Sequence, residues 1–130
     1  MNAQDVRRVC MSLPDTTETV QWQDDLVFKI GGKMYAVAPL VPARVCASFK
    51  CSPEDFAELI ERPGIIPAPY LARAQWVAVE DPDALRFAEI EALLRRAYEI
   101  VRAKLPKKAR PGASASATTR RRPSSGKTPA

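Results

Sequence analysis

Apolar positions in the first thirteen residues recur with helical spacing. Val6, Val9, Cys10 and Leu13 fall at i, i+3, i+4 and i+7 and predict one face of a helix over Asn2 to Leu13. Pro14 ends it, because proline disfavours helical geometry in the residue before it. The period then changes. "ETVQW" (18–22) reads as a strand and Asp24-Asp25 as a turn. "LVFKI" (26–30) and "KMYAVAP" (33–39) read as a hairpin around Gly31-Gly32, since glycine accepts the positive φ of a tight turn. Pro39 and Pro42 bound a loop, and "RVCASFK" (44–50) is the next strand. A second helix starts in "CSPEDFAELIE". Ser52 is its N-cap, Pro53 takes the first helical position, and Glu54 and Asp55 lie at the positive end of the dipole. "RPGIIPAPY" (62–70) reads as a proline-punctuated loop and "QWVAVE" (75–80) as a strand. A long helix is predicted from Pro82 to Leu105, capped by Asp81 or Asp83. Its apolar face is Ile90, Leu93, Leu94, Ala97, Val101 and Leu105, and Pro106 stops it.

This order predicts an α+β domain over residues 1–106, an antiparallel sheet with helices packed on one face. The 130 residues, 27% charged and 46% hydrophobic, fit one globular domain. No apolar run approaches the roughly 18 residues of a bilayer span. The start "MNAQDVRRVC" has acid and arginine where a signal peptide has an apolar core, so a cytoplasmic monomer is expected. Cys10, Cys46 and Cys51 match no disulfide or zinc spacing and read as small buried apolar residues in a reducing compartment. Histidine is absent. That removes Ser-His-Asp and Cys-His catalysis and most transition-metal sites. The expectation is a non-enzyme with no metal and no cofactor.

Charge divides the chain in two. Residues 107–130 hold Lys107, Lys108, Arg110, Arg120, Arg121, Arg122 and Lys127 with no acid, a net +7. Residues 1–106 hold the other 13 bases and all 15 acids, a net −2. The terminal stretch is rich in Pro, Ala, Ser and Thr and is predicted to be a disordered basic tail. Its Arg120-Arg121-Arg122 run suits phosphate contacts that carry no sequence information.

"SLPDTTET", "VFKIGGKMYAV", "FKCSPEDFAELIERPGIIPAPYLARAQWVAV" and "LLRRAYEIVRAKLPKK" follow one another in an order that resembles the MmcQ/YjbR-like family. The resemblance covers residues 3–108. It implies a small α+β fold of the frataxin-like, or "double wing", kind, a DNA-binding label and no catalytic residues. Two positions depart from the pattern. Gln75 stands where many relatives have histidine, and Ala97 where many have serine.

Alternation places Leu26, Phe28 and Ile30 on one face of the sheet and Lys29 on the other. By the same rule Arg44, Cys46, Ser48 and Lys50 oppose Val45, Ala47 and Phe49, and Trp76 opposes Val77 and Val79. If the apolar sets face the helices, Lys29, Arg44, Lys50 and Trp76 gather on the open face, a platform where bases stack and cations hold the backbone. A two-residue turn puts Lys33 and Tyr35 with Ile30, and a three-residue loop moves them to the open face. Against this, strand lysines also prevent sheet-to-sheet aggregation, and Trp76 also fits a core position. Glu54, Glu58 and Glu61 form an acidic stripe on the second helix that reads as a solvated face or a cation-attracting one. Asp24-Asp25 reads as turn chemistry, and Cys51, just before a helix, as a thiol that the dipole would activate. The preferred expectation is weak, largely non-sequence-specific nucleic-acid (DNA) binding through Lys29, Lys33, Arg44, Lys50, Trp76, Arg120, Arg121 and Arg122. The alternative is a protein-interaction module using the open sheet face or the acidic helix.

Overall fold

The computed structural model describes residues 1–106; the predicted tail and Arg120, Arg121 and Arg122 lie outside the described residues. Helix α1, Ala3–Met11, is two residues shorter at its C-terminal end than its periodicity suggests. Asn2 is its N-cap, accepting from the Asp5 amide while Asp5 accepts from the Asn2 amide. Strands β1 Thr16–Gln21, β2 Asp25–Ile30 and β3 Lys33–Pro39 form an antiparallel meander. Asp25 therefore belongs to β2, and the first turn is Trp22-Gln23-Asp24, with Trp22 and Gln23 at positive φ.

Strand β4, Ala47–Lys50, leads into the short helix α2, Pro53–Leu59, where Ser52 caps the Asp55 amide. Arg44, Val45 and Cys46 precede the ladder rather than belong to it. The segment read as a loop contains strand β5, Ile65–Pro67. Its prolines are tolerated because β5 is an edge strand. A 3-10 turn at Ala72–Ala74 precedes β6, Trp76–Val79. Helix α3, Phe87–Ala103, starts five residues later than predicted. Asp81 accepts from the Asp83 amide in a turn of its own, while Glu89 accepts from the Arg86 amide at the true helix start.

The sheet is six-stranded and antiparallel, in the order β1-β2-β3-β4-β6-β5. α3 lies across β3 and β4 and packs on α1, so the helices share one face. Leu26, Phe28, Ile30, Phe49, Val77 and Val79 meet Val6, Cys10, Leu94 and Ala97 in the main core. The opposite face is partly covered. Ala68 and Leu71 fold back on Trp76, Ala78, Met34 and Val37 as a second, smaller apolar cluster.

One irregularity shapes the hairpin. Phe28 pairs with Ala36 but Lys29 pairs with Met34, so Tyr35 is an extra residue in β3. Such a bulge turns two successive side chains toward one face. Tyr35 and Ala36 are both completely buried in the main core. The Tyr35 hydroxyl is 2.8 Å from the Thr16 hydroxyl and donates to the Cys10 carbonyl at 3.4 Å. Its ring stands edge-on to Tyr98, centroids 5.6 Å apart. Tyr98 in turn donates to the Pro14 carbonyl at 2.8 Å.

The hairpin turn is the two-residue form, with Gly31 at φ +59°, Gly32 at φ +82° and Ile30 opposite Lys33. Leu105 sits directly over this turn: a β-carbon on Gly31 would lie 2.5 Å from Leu105 Cδ1, whereas one on Gly32 would meet nothing within 4 Å. Both substitutions to alanine carry the left-handed backbone cost of about 1 kcal/mol. Gly31→Ala must also displace Leu105, for a total of about 2–3 kcal/mol. Urea unfolding of the two variants checks this, and equal losses would show that Leu105 does not rest on the turn.

Candidate functional site

The chain brings four termini of secondary structure to one end of the sheet. These are the β2–β3 turn, the last residue of β4, the first residue of β6 and the C-terminus of α3. Between them lies a cleft of about 460 Å³. Its apolar floor is Met34, Trp76, Val101 and Leu105, and Pro106 closes one side. Lys33, Lys50 and Lys104 line the rest, and among the described residues no carboxylate lines it.

Each lysine is placed by a local rule. Lys33 follows the glycine turn. Lys50 ends β4 opposite Trp76, and its ammonium donates to the Ala74 carbonyl. Lys104 is the C-cap of α3, where the helix dipole favours a cation. Lys29 pairs with Met34 across the hairpin, so it lies beside the floor on the same face. All four lysines of residues 1–106 are therefore at this cleft or next to it. Partial burial, with the like charge of Lys104 second, holds the Lys50 ammonium below the ordinary lysine range.

The arginines are used differently. Arg7, Arg44, Arg62, Arg95, Arg96 and Arg102 pair with Glu18, Glu80, Glu89, Glu91, Asp55 and Glu99. Arg7 grips Glu18 through two bonds of 2.8 Å and joins α1 to β1. Among the described residues no lysine is in such a pair.

The predicted platform is only partly assembled. Lys29, Lys50 and Trp76 share the face opposite the helices. Arg44 does not join them: it lies beyond the other end of β4, 2.5 Å from Glu80. Trp76 is 4% exposed under Ala68 and Leu71, so its ring offers no stacking surface. Lys33 lies opposite Ile30 and joins the group at the rim of the cleft instead. Two residues were not anticipated. Lys104 reads in sequence only as the end of a helix. Tyr70, fully exposed with φ +66°, is the aromatic that the covering segment presents in place of Trp76.

The other candidates are resolved as well. Cys51 is buried, and desolvation, aided by the Asp55 charge, pushes its thiol up to about 12. It is protonated at neutral pH, so the expected dipole activation is absent. Glu54, Glu58 and Glu61 are exposed, and among the described residues no three acidic or cysteine side chains are grouped to hold a metal ion. No helix among the described residues is long and apolar enough to cross a membrane. Gln75, at the first departure from the family pattern, is a left-handed backbone position whose carbonyl accepts from the Cys51 amide at 2.8 Å. Ala97, at the second, is completely buried on α3, where packing favours a small side chain.

Two measurements check this geometry. With Trp22→Phe removing the exposed tryptophan, the remaining Trp76 emission is expected to be blue-shifted and poorly quenched by acrylamide; strong quenching would contradict its burial. Cys10 and Cys51 are both held up to about 12, above the ordinary thiol value of 9.0, by burial. The unfolded chain ionises these thiols first, so stability is complete below pH 9 and falls as pH rises toward 12. In reductant the urea midpoint should drop between about pH 8 and about pH 10.5, and less so in Cys10→Ala. An unchanged midpoint would show that the thiols are not desolvated.

No curated protein matches the chain. Among solved structures it is similar to Deinococcus radiodurans protein DR2400, described as carrying a DUF419 domain. The two are 32% identical, with a TM-score of 0.74 over 83% of this chain and 84% of that one. A Pseudomonas syringae protein is also similar, at 26% identity and a TM-score of 0.62 over 77% of this chain and 98% of its own. The YjbR family model matches residues 11–100, which span β1 to β6 and most of α3. The chain belongs to the YjbR family.

Proposed function

We propose that this protein is a non-enzymatic, monomeric nucleic-acid-binding protein that engages DNA weakly and with little regard to sequence. The observation that carries the reading is the gathering of Lys29, Lys33, Lys50 and Lys104 at one end of a domain whose net charge is −2. The +7 of residues 107–130 continues directly from Pro106, on the wall of the same cleft. Ammonium groups are point charges that suit a phosphate backbone without demanding one geometry, unlike the bidentate guanidinium contacts that read guanine. The three free cysteines support a reducing, cytoplasmic setting.

Fluorescence anisotropy of the full chain with single-stranded and duplex DNA, across a salt series, tests the reading. Affinity should fall linearly with salt on logarithmic axes. Replacing Arg120, Arg121 and Arg122 together by glutamine should lower the single-strand slope by about 2, at about 0.7 per contact. No binding to either DNA at about 50 mM salt would overturn it.

A protein-docking role is the second reading. Trp22 is 62% exposed at positive φ, close to the exposed Leu40, whose amide donates to the Asp24 carbonyl at 2.7 Å. A strained, exposed aromatic of this kind is an interaction-site signal. If DNA fails to bind and Trp22→Ser abolishes capture of a specific partner, this second reading replaces the first.

A further inference from the structure

We infer that the cleft accepts a nucleoside monophosphate group, with the phosphate held by Lys33, Lys50 and Lys104 and the base lying against Met34 and Pro106, the apolar lining residues that stay accessible. This rests on the nucleic-acid reading and deepens it by naming what the folded domain itself recognises.

The charge pattern comes first. Lysines from three separate elements line the cleft, and among the described residues no carboxylate does. Lys50 and Lys104 are close enough to repel, and Lys50 is held in place by the Ala74 carbonyl rather than left to swing away. Like charges held together in this way are relieved by an anion of matching valence. An internal phosphodiester carries one negative charge. A phosphomonoester carries about 1.5 to 2 at neutral pH and has three strong acceptor oxygens. The monoester is the better complement to three lysines.

The floor explains the rest. A phosphate alone needs no apolar surface, yet the cleft also presents Met34 and Pro106, backed by the buried Val101 and Leu105. A base has two apolar faces, and methionine adapts to flat ligands of varied outline. The volume of about 460 Å³ falls in the range of small-ligand pockets. A base inside a duplex stack cannot reach such a floor, whereas a free nucleotide or the phosphorylated end of a single strand can. Among the described residues the lining has no amide, hydroxyl or carboxylate side chain to read a base edge, so purines and pyrimidines are accepted alike.

The test uses the full chain carrying Trp22→Phe, so that Trp76 reports from the floor. Adenosine and thymidine monophosphates should both perturb its emission with similar affinity. Inorganic phosphate should bind about tenfold or more weakly, because it lacks the base. Lys50→Gln and Lys104→Gln should each weaken nucleotide binding several-fold, while Arg44→Gln, paired with Glu80 at the far end of β4, leaves it unchanged. Circular dichroism confirms that each variant is folded. A short oligothymidylate with a terminal phosphate should compete with the mononucleotide, and its hydroxyl-ended twin should compete less, if the source is a strand end. If only mononucleotides compete, the cleft inference holds with free nucleotide as the source, and the DNA reading is left to residues 107–130. If oligonucleotides bind but neither nucleotide does up to about 10 mM, the inference is overturned. The DNA reading then stands on residues 107–130. If nothing binds, both fall.

Discussion

The burial of Tyr35 is the constraint on which the other placements rest. Its ring is completely enclosed, worth roughly 2–3 kcal/mol in apolar area, and its hydroxyl is matched by Thr16 and the Cys10 carbonyl. That one side chain ties β3 to β1, to the end of α1 and, through Tyr98, to α3. It reaches the core only because β3 carries an extra residue at this point. The bulge also decides what happens on either side. Ala36 stays inside, Met34 goes to the opposite face, and Lys33 follows the glycine turn to the cleft. The positions that line the cleft are thus set by a packing requirement in the core.

Much of the fold was legible in the residues. Helical periodicity located α1 and α3, the Ser52-Pro53 pair located α2, and Gly31-Gly32 located the central hairpin. The misses have physical reasons. β5 is a three-residue edge strand among prolines, and its pairing with β6 is a tertiary fact that no local pattern announces. The start of α3 was misplaced because Asp81 is an equally good cap for a turn, and it caps one. β4 was drawn too long because Arg44 to Cys46 alternate like a strand, but of these only Cys46 bonds to the next strand, its amide donating to the Val79 carbonyl at 2.8 Å.

The site was legible residue by residue but not as an assembly. Lys29, Lys33 and Lys50 could be singled out from strands and turns. Their meeting with Lys104 depends on Leu105 seating over Gly31, a contact between positions more than seventy residues apart. Trp76 takes the core position, the other of its two readings, for a related reason. Its face of the sheet is covered by Ala68 and Leu71, which belong to a stretch that sequence marks only as a loop. A division of labour between the two cations is clearer in the structure than in the sequence. Arg7, Arg44, Arg62 and Arg96, with their rigid forks, reach carboxylates on other segments, whereas the lysines gather at one end without a carboxylate partner among the described residues.

The cleft shares its wall with the last turn of α3, and helix ends are where local opening is cheapest. Lys104, Leu105 and Pro106 are both the rim of the cleft and the attachment point of everything that follows in the chain. Among the described residues, Leu105 is the contact through which this end of the chain rests on the Gly31 turn. Peeling that residue off the Gly31 turn dismantles the floor while the tyrosine pair and the main core stay intact. The shape of the cleft is consequently tied to the seating of the last turn of α3.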